Sequence, residues 1–163
     1  MTDMLVKLYA LPEQHTLLAR LTDQGIEIRR AMAPEKHLVL DFIRQHFSPF
    51  WVSETEVAYA RQPISCFVAV QDGRCIGFGC YDATRRGFFG PTGVDDSCRG
   101  KGVGKALLLV CLHDMLAQGY GYAVIGGVGP VEFYAGAAGA TLIPESTPGV
   151  YKGMLRGAAA ADE

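Results

Sequence analysis

The spacing of apolar positions along the chain predicts most of its elements. Residues 4–8 (Met-Leu-Val-Lys-Leu) suit a short strand, and Leu17, Leu18 and Leu21 form a helical stripe that Gly25 stops. Residues 26–31 (Ile-Glu-Ile-Arg-Arg-Ala) interleave apolar and charged side chains, the pattern of a half-buried strand. Pro34 fits the first turn of a helix carried on by Val39, Phe42, Ile43 and Phe47. Ser53-Glu54-Thr55-Glu56 has the form of a capping box, so a second helix is expected from Ser53, with Glu56 as its capping partner.

Residues 65–71 and 74–82 are apolar runs joined by Asp72-Gly73, a strong hairpin signal. Residues 88–94 read as another strand, but Pro91 lacks a ladder donor and stands near Gly90 and Gly93, which suggests a bulge or an edge. A long helix is expected over 101–118, closed by Gly119, then a short strand over 123–127. Pro130 opens a second short helix stopped by Gly139, and 141–143 and 150–155 are expected as closing strands. This order predicts a mixed α/β layout, with helices covering both faces of one sheet. Residues 1–25 read as an N-terminal extension, 26–156 as one domain and 157–163 as a flexible tail.

Composition narrows the function classes. The 163 residues are enough for one core, with 49% hydrophobic and 20% charged residues. A net charge of −2 without a basic stripe argues against a nucleic-acid partner. The longest strongly apolar run, 106–112, is too short to span a bilayer, and the N-terminus lacks the layout of a signal peptide. Five cysteines (Cys66, Cys75, Cys80, Cys98, Cys111) form no C-x-x-C pair and read as free thiols in a cytoplasmic protein. No metal is expected, because the four histidines show no ligand spacing either.

Candidate chemistry is concentrated in residues 94–105. Gly100, Gly102 and Gly104 stand at every second position, which suits a loop whose backbone N–H groups approach a ligand closely. That loop runs into a helix start, where free N–H groups favour an anion, and Arg99, Lys101 and Lys105 add positive charge. A Walker A loop would need glycine at Arg99 and Ser or Thr at Ala106; a Rossmann fingerprint would need a small residue at Lys105 and an early βαβ unit. Neither is met; the run reads as a pyrophosphate cradle or as a flexible turn before an amphipathic helix.

The run Arg99-x-x-Gly102-x-Gly104, after a strand and opening a helix, resembles the R/Q-x-x-G-x-G/A signature of the GNAT superfamily of N-acetyltransferases. Pro130-Val131-Glu132-Phe133-Tyr134, followed by Gly139-Ala140, resembles the second signature of that family. The resemblance implies the GNAT acyl-CoA N-acyltransferase fold, acetyl-CoA as co-substrate and direct acetyl transfer to a primary amine, most simply that of a small molecule. It further implies that the cofactor lies against Thr92, Gly93, Val94, Arg99, Gly100, Lys101, Gly102, Val103, Gly104, Lys105 and Phe133, with Tyr134 as the general acid that protonates the departing thiolate. Backbone N–H groups near 92–94 would polarise the thioester carbonyl. For the general base, Asp82 is a candidate, as are Glu54, Glu132 and a water chain. Trp51 and Phe89 are expected in the acceptor pocket. Many relatives carry an Asn where this chain reads Gly126-Gly127-Val128-Gly129, a departure at the end of the strand expected over 123–127 and the loop after it. An acyl-CoA sensor without turnover and a peptide-amine acetyltransferase are the alternatives; monomer and homodimer are both open.

Overall fold

A computed structural model describes residues 1–157 of the chain; the remainder of the expected tail, 158–163, lies outside the described residues. Seven strands form one sheet: β1 (Met4–Lys7), β2 (Ile26–Arg30), β3 (Cys66–Gln71), β4 (Arg74–Tyr81), β5 (Phe88–Val94), β6 (Tyr122–Ile125) and β7 (Thr141–Leu142). Their order is β2-β3-β4-β5-β6-β1-β7. Every neighbouring pair is antiparallel except β5 and β6, which run parallel.

Among the described residues, five α-helices cover the two faces: α1 (His15–Asp23), α2 (Lys36–His46), α3 (Pro49–Tyr59), α4 (Val103–Ala117) and α5 (Val131–Ala138). The hairpin between β3 and β4 turns at Asp72 and Gly73, both with positive φ, as a two-residue loop of the type I′ kind requires. Side chains from β3 then alternate between two cores. Phe67 and Ala69 join Leu107, Cys111, Met115 and Tyr134 under α1, α4 and α5. Cys66 and Val68 join Val39, Ile43, Ala58 and Phe78 under α2 and α3. With helices on both faces, the central strands β3 and β4 are almost continuously buried, which matches their near-continuous apolar runs.

Residues 1–25 supply a strand and a helix, as expected of them, and β1 lies inside the sheet between β6 and β7, with Met4, Val6 and Leu8 fully buried. Three expectations are corrected. The helix expected from Ser53 starts at Pro49, because Ser48 accepts a hydrogen bond from Phe50 N at 3.1 Å and Pro49 needs no donor at the first position. Pro34 stands in a single 3-10 turn (Ala33–Glu35) that leads into α2. The strand expected over 150–155 is instead a 3-10 turn (Gly149–Tyr151) followed by irregular chain, since β7 is only two residues long and offers no ladder to extend.

Candidate active site

The parallel junction between β5 and β6 is where the molecule opens. The two strands pair only at Phe88↔Val124 and Phe89↔Ile125 and then part. The cause is local to β5. Gly79 pairs with Thr92 but Tyr81 pairs with Phe89, so β5 carries one extra residue at Gly90-Pro91, where proline has no N–H to give a ladder. Beyond the split lies a cleft of about 1180 Å³ between residues 90–94 on one side and 125–130 on the other. Open α/β sheets bind ligands in this kind of place, beyond the carboxyl ends of parallel strands.

The β5 wall presents backbone. Asp95 N donates to Ile76 O at 2.8 Å, and the alternation of an antiparallel ladder then turns the N–H and C=O groups of Thr92 and Val94 away from β4, toward the gap. Gly93 permits this wall. A Cβ there would fall within 2.8 Å of Phe47 Cε1, so the ring that closes α2 lies directly on the strand.

The loop that follows is ordered by its own side chains. Asp95 accepts from Ser97 N at 2.9 Å and from Ser97 Oγ at 2.8 Å, setting one 3-10 turn (Asp96–Cys98). Gly102, with φ +90°, is the N-cap of α4 and has no side chain to satisfy the helix start. The first bond of α4 is Ala106 N to Gly102 O at 3.0 Å, which leaves the N–H groups of Val103, Gly104 and Lys105 directed at the cleft end. From behind, α1 supports the loop: a Cβ on Gly102 would lie 2.9 Å from Arg20 Nη2 and 3.0 Å from Leu17 Cδ1. Arg99, paired with Asp96 at 3.1 Å, and Lys105 line the cleft; Lys101 is exposed and does not.

Opposite the loop, α5 follows β6 after the segment 126–130 and turns Phe133 and Tyr134 into the cleft, their rings 5.0 Å apart and edge-on. Tyr134 is buried, and its hydroxyl has no protein partner among the described residues. Burial raises its pKa above the ordinary phenol value, so it remains a neutral O–H donor through neutral pH.

The far end of the cleft is aromatic. Trp51 packs on Phe47 with ring centres 5.1 Å apart, and Trp51, Phe50 and Phe89 all line the cleft. Asp82 does not. Its carboxylate accepts from Gly87 N at 2.7 Å and from Tyr120 Oη at 2.7 Å, bracing the β4–β5 turn, and it lines a separate depression instead of the cleft. That placement removes it as a base for chemistry in the cleft. Glu132 is exposed on α5 and also stands outside the cleft. Glu54 lines it, together with Thr84 and Tyr151. Sequence reasoning did not single out the latter two; no local pattern marks them, because the loop after β4 and the C-terminal turn meet only in the fold.

The sheet splits between two parallel strands, with a glycine-rich helix start on one side and a tyrosine-bearing helix on the other, which is the layout that the GNAT resemblance implies. Accordingly, the family model of the GNAT acetyltransferases matches residues 28–135, about two-thirds of the chain, and the chain belongs to that family. No curated protein matches the chain in sequence. Among solved structures, it is similar to the GCN5-related glucosamine N-acetyltransferase region of a fungal multi-domain GH3 β-N-acetylglucosaminidase, with TM-score 0.72 and 17% identity over 87% of this chain and 19% of the other. A GCN5-related N-acetyltransferase from Sphaerobacter thermophilus gives TM-score 0.66 and 21% identity over 87% of this chain and 48% of the other. This chain therefore spans only part of the length of those two proteins. A GNAT family acetyltransferase from Brucella melitensis, solved with acetyl-CoA, gives TM-score 0.50 and 19% identity over 72% of this chain and 86% of the other. No helix among the described residues is long and apolar enough to cross a membrane, and no group of three or more potential metal ligands occurs among them.

Proposed function

We propose that the protein transfers an acetyl group from acetyl-CoA to a primary amine, by direct attack in a ternary complex. The observation that carries this reading is the cleft itself, which joins an uncapped α4 start and the free β5 backbone edge to the phenol of Tyr134. The Brucella melitensis relative, solved with acetyl-CoA, supports the choice of cofactor.

On this reading the N–H groups of residues 103–105, with Arg99 and Lys105, hold the cofactor pyrophosphate. The pantetheine arm extends along β5 and takes the backbone positions of Thr92 and Val94 that β6 leaves unpaired. A backbone N–H in this wall polarises the thioester carbonyl, and Phe133 packs against the arm. Tyr134 supplies the proton for the thiolate: the phenol is neutral, and a thiol of pKa about 8.5 makes the departing sulfur a competent acceptor.

Calorimetric titration with acetyl-CoA tests the cofactor, with coenzyme A and ATP as comparisons. Saturable heat with the first two and none with ATP is expected; the absence of acetyl-CoA binding would overturn the reading. For Tyr134→Phe, kcat should fall about 10²–10⁴-fold with the acetyl-CoA Kd unchanged. Unchanged turnover would remove Tyr134 from the mechanism.

A further inference from the structure

Three side chains from distant parts of the chain meet at the aromatic end of the cleft: Glu54 on α3, Thr84 in the β4–β5 loop and Tyr151 in the C-terminal turn. Thr84 Oγ1 donates a hydrogen bond to Glu54 Oε2. Tyr151 closes the group from above. A Cβ at Gly126 would lie 2.7 Å from Tyr151 Oη and 3.1 Å from Phe88 Cδ2, so the phenol takes the space that a side chain at Gly126 would need. The glycine after β6 and the tyrosine from the C-terminal turn thus fit one another.

Glu54 is the only acid among the described residues that line the cleft. Phe50 and Trp51 stand one turn before it on α3, and Phe89, Tyr151 and Met154 line the same cleft with Thr84 and Arg156, so a single carboxylate shares the cleft with a largely aromatic lining and no second acid among the described residues. Such a lining pairs one ammonium and lays an apolar body against the rings. A polyamine or an aminoglycoside would carry several charges there with a single partner, and the remaining ones would leave water without a compensating carboxylate.

Resting on the acetyltransferase reading, we propose that Glu54 is the acceptor-amine residue of this site, oriented by Thr84 and Tyr151, and that the acceptor is a primary monoamine with an aryl or alkyl body. In the reaction, the ammonium gives one proton to the Glu54 carboxylate. The freed nitrogen lone pair forms the C–N bond to the thioester carbon while the carbonyl π pair moves to oxygen. As that pair returns, the C–S bond breaks, and the thiolate leaves with its electrons and takes the Tyr134 hydroxyl proton. The nitrogen's second proton restores the phenol, its third stays on the amide, and Glu54 releases its proton to water.

Burial makes the carboxylate a stronger base than a free one, opposed by the Thr84 hydrogen bond. The other ionisable groups near it are few. Tyr151 faces it, with its phenol raised by burial and by Glu54 itself; Asp3 and Arg85 lie near Tyr151, and Arg156 lines the same cleft. On the same helix, Glu56 is turned to Lys36 at 3.6 Å on the exposed side.

The experiment compares 2-phenylethylamine and hexylamine with spermidine and kanamycin as acceptors for the full chain, wild type and Glu54→Gln, with acetyl-CoA affinity measured in parallel. We expect the monoamines to be preferred and E54Q to lower kcat/KM by about 10²-fold at an unchanged acetyl-CoA Kd. The acid limb of the wild-type pH profile, set above the ordinary carboxylate range, should be absent in E54Q; a merely structural residue would leave that limb in place. Tyr151→Phe should raise KM for the amine several-fold, with little change in kcat. An unaffected pH limb and turnover in E54Q, with acetyl-CoA bound, overturns the inference alone. Preference for spermidine or kanamycin, or no turnover of either monoamine, overturns the substrate class. Loss of acetyl-CoA binding by the wild type overturns the function reading and this inference together.

Discussion

Gly93 and Glu54 show how single residues are constrained on the two sides of the cleft. Gly93 has no side chain because the Phe47 ring occupies that space, and the contact holds the α2–α3 junction on β5. Glu54 is the opposite case, a side chain retained against a stability cost. Burial raises its carboxyl pKa, so the native state keeps a proton at a pH where the unfolded chain has lost it. By linkage, stability falls as pH rises from the ordinary carboxylate value through the raised one, and the full loss is present above the latter. Glutamine carries no charge to desolvate and still accepts from Thr84. Differential scanning calorimetry should therefore give E54Q a higher Tm than wild type at pH 7, with the difference vanishing below about pH 4. Equal Tm values at pH 7 would mean that the carboxylate is not under strain. A residue that is destabilising where it stands is the usual mark of a functional site.

Among elements, α3 illustrates how a strong local signal loses to a stronger one. Ser53 to Glu56 has capping-box form, yet the helix is already one turn old at Ser53. Ser48 and Pro49 start it earlier, and that extra turn places Phe50 and Trp51 on the helix and over the cleft instead of in a linker. Ser48→Ala should cost about 0.5–2 kcal/mol of stability by urea unfolding. Ser53→Ala, at an exposed interior position, should cost nothing or gain a few tenths of a kcal/mol, about the helix-propensity difference. The reverse ranking would restore Ser53 as the cap. Strand β5 makes the same point from the other direction: its Gly90-Pro91 irregularity was legible in the sequence because no ordinary strand tolerates it, and it is the place where the sheet divides.

At the scale of the whole molecule, the N-terminal segment belongs to the sheet. β1 bonds β6 on one side and β7 on the other, and buries Met4 and Val6, with Leu8 just beyond. Each such side chain contributes about 1.5–3 kcal/mol on burial, against a net stability of about 5–15 kcal/mol for a domain. A 26–157 fragment should therefore show no cooperative thermal unfolding by circular dichroism; a sharp transition would show that the segment is dispensable. The sequence by itself determined whatever depends on neighbours in the chain: the hairpin at Asp72-Gly73, the glycine loop opening α4, the Pro130 start of α5 and the two signatures that point to the family. Tertiary structure alone decided where β1 inserts, that Asp82 is spent on Gly87 and Tyr120, and that Glu54, Thr84 and Tyr151 meet. The physical reason is one of range: turns, caps and periodicity are settled within a few residues, whereas strand insertion and side-chain convergence are chosen by burial across the whole core.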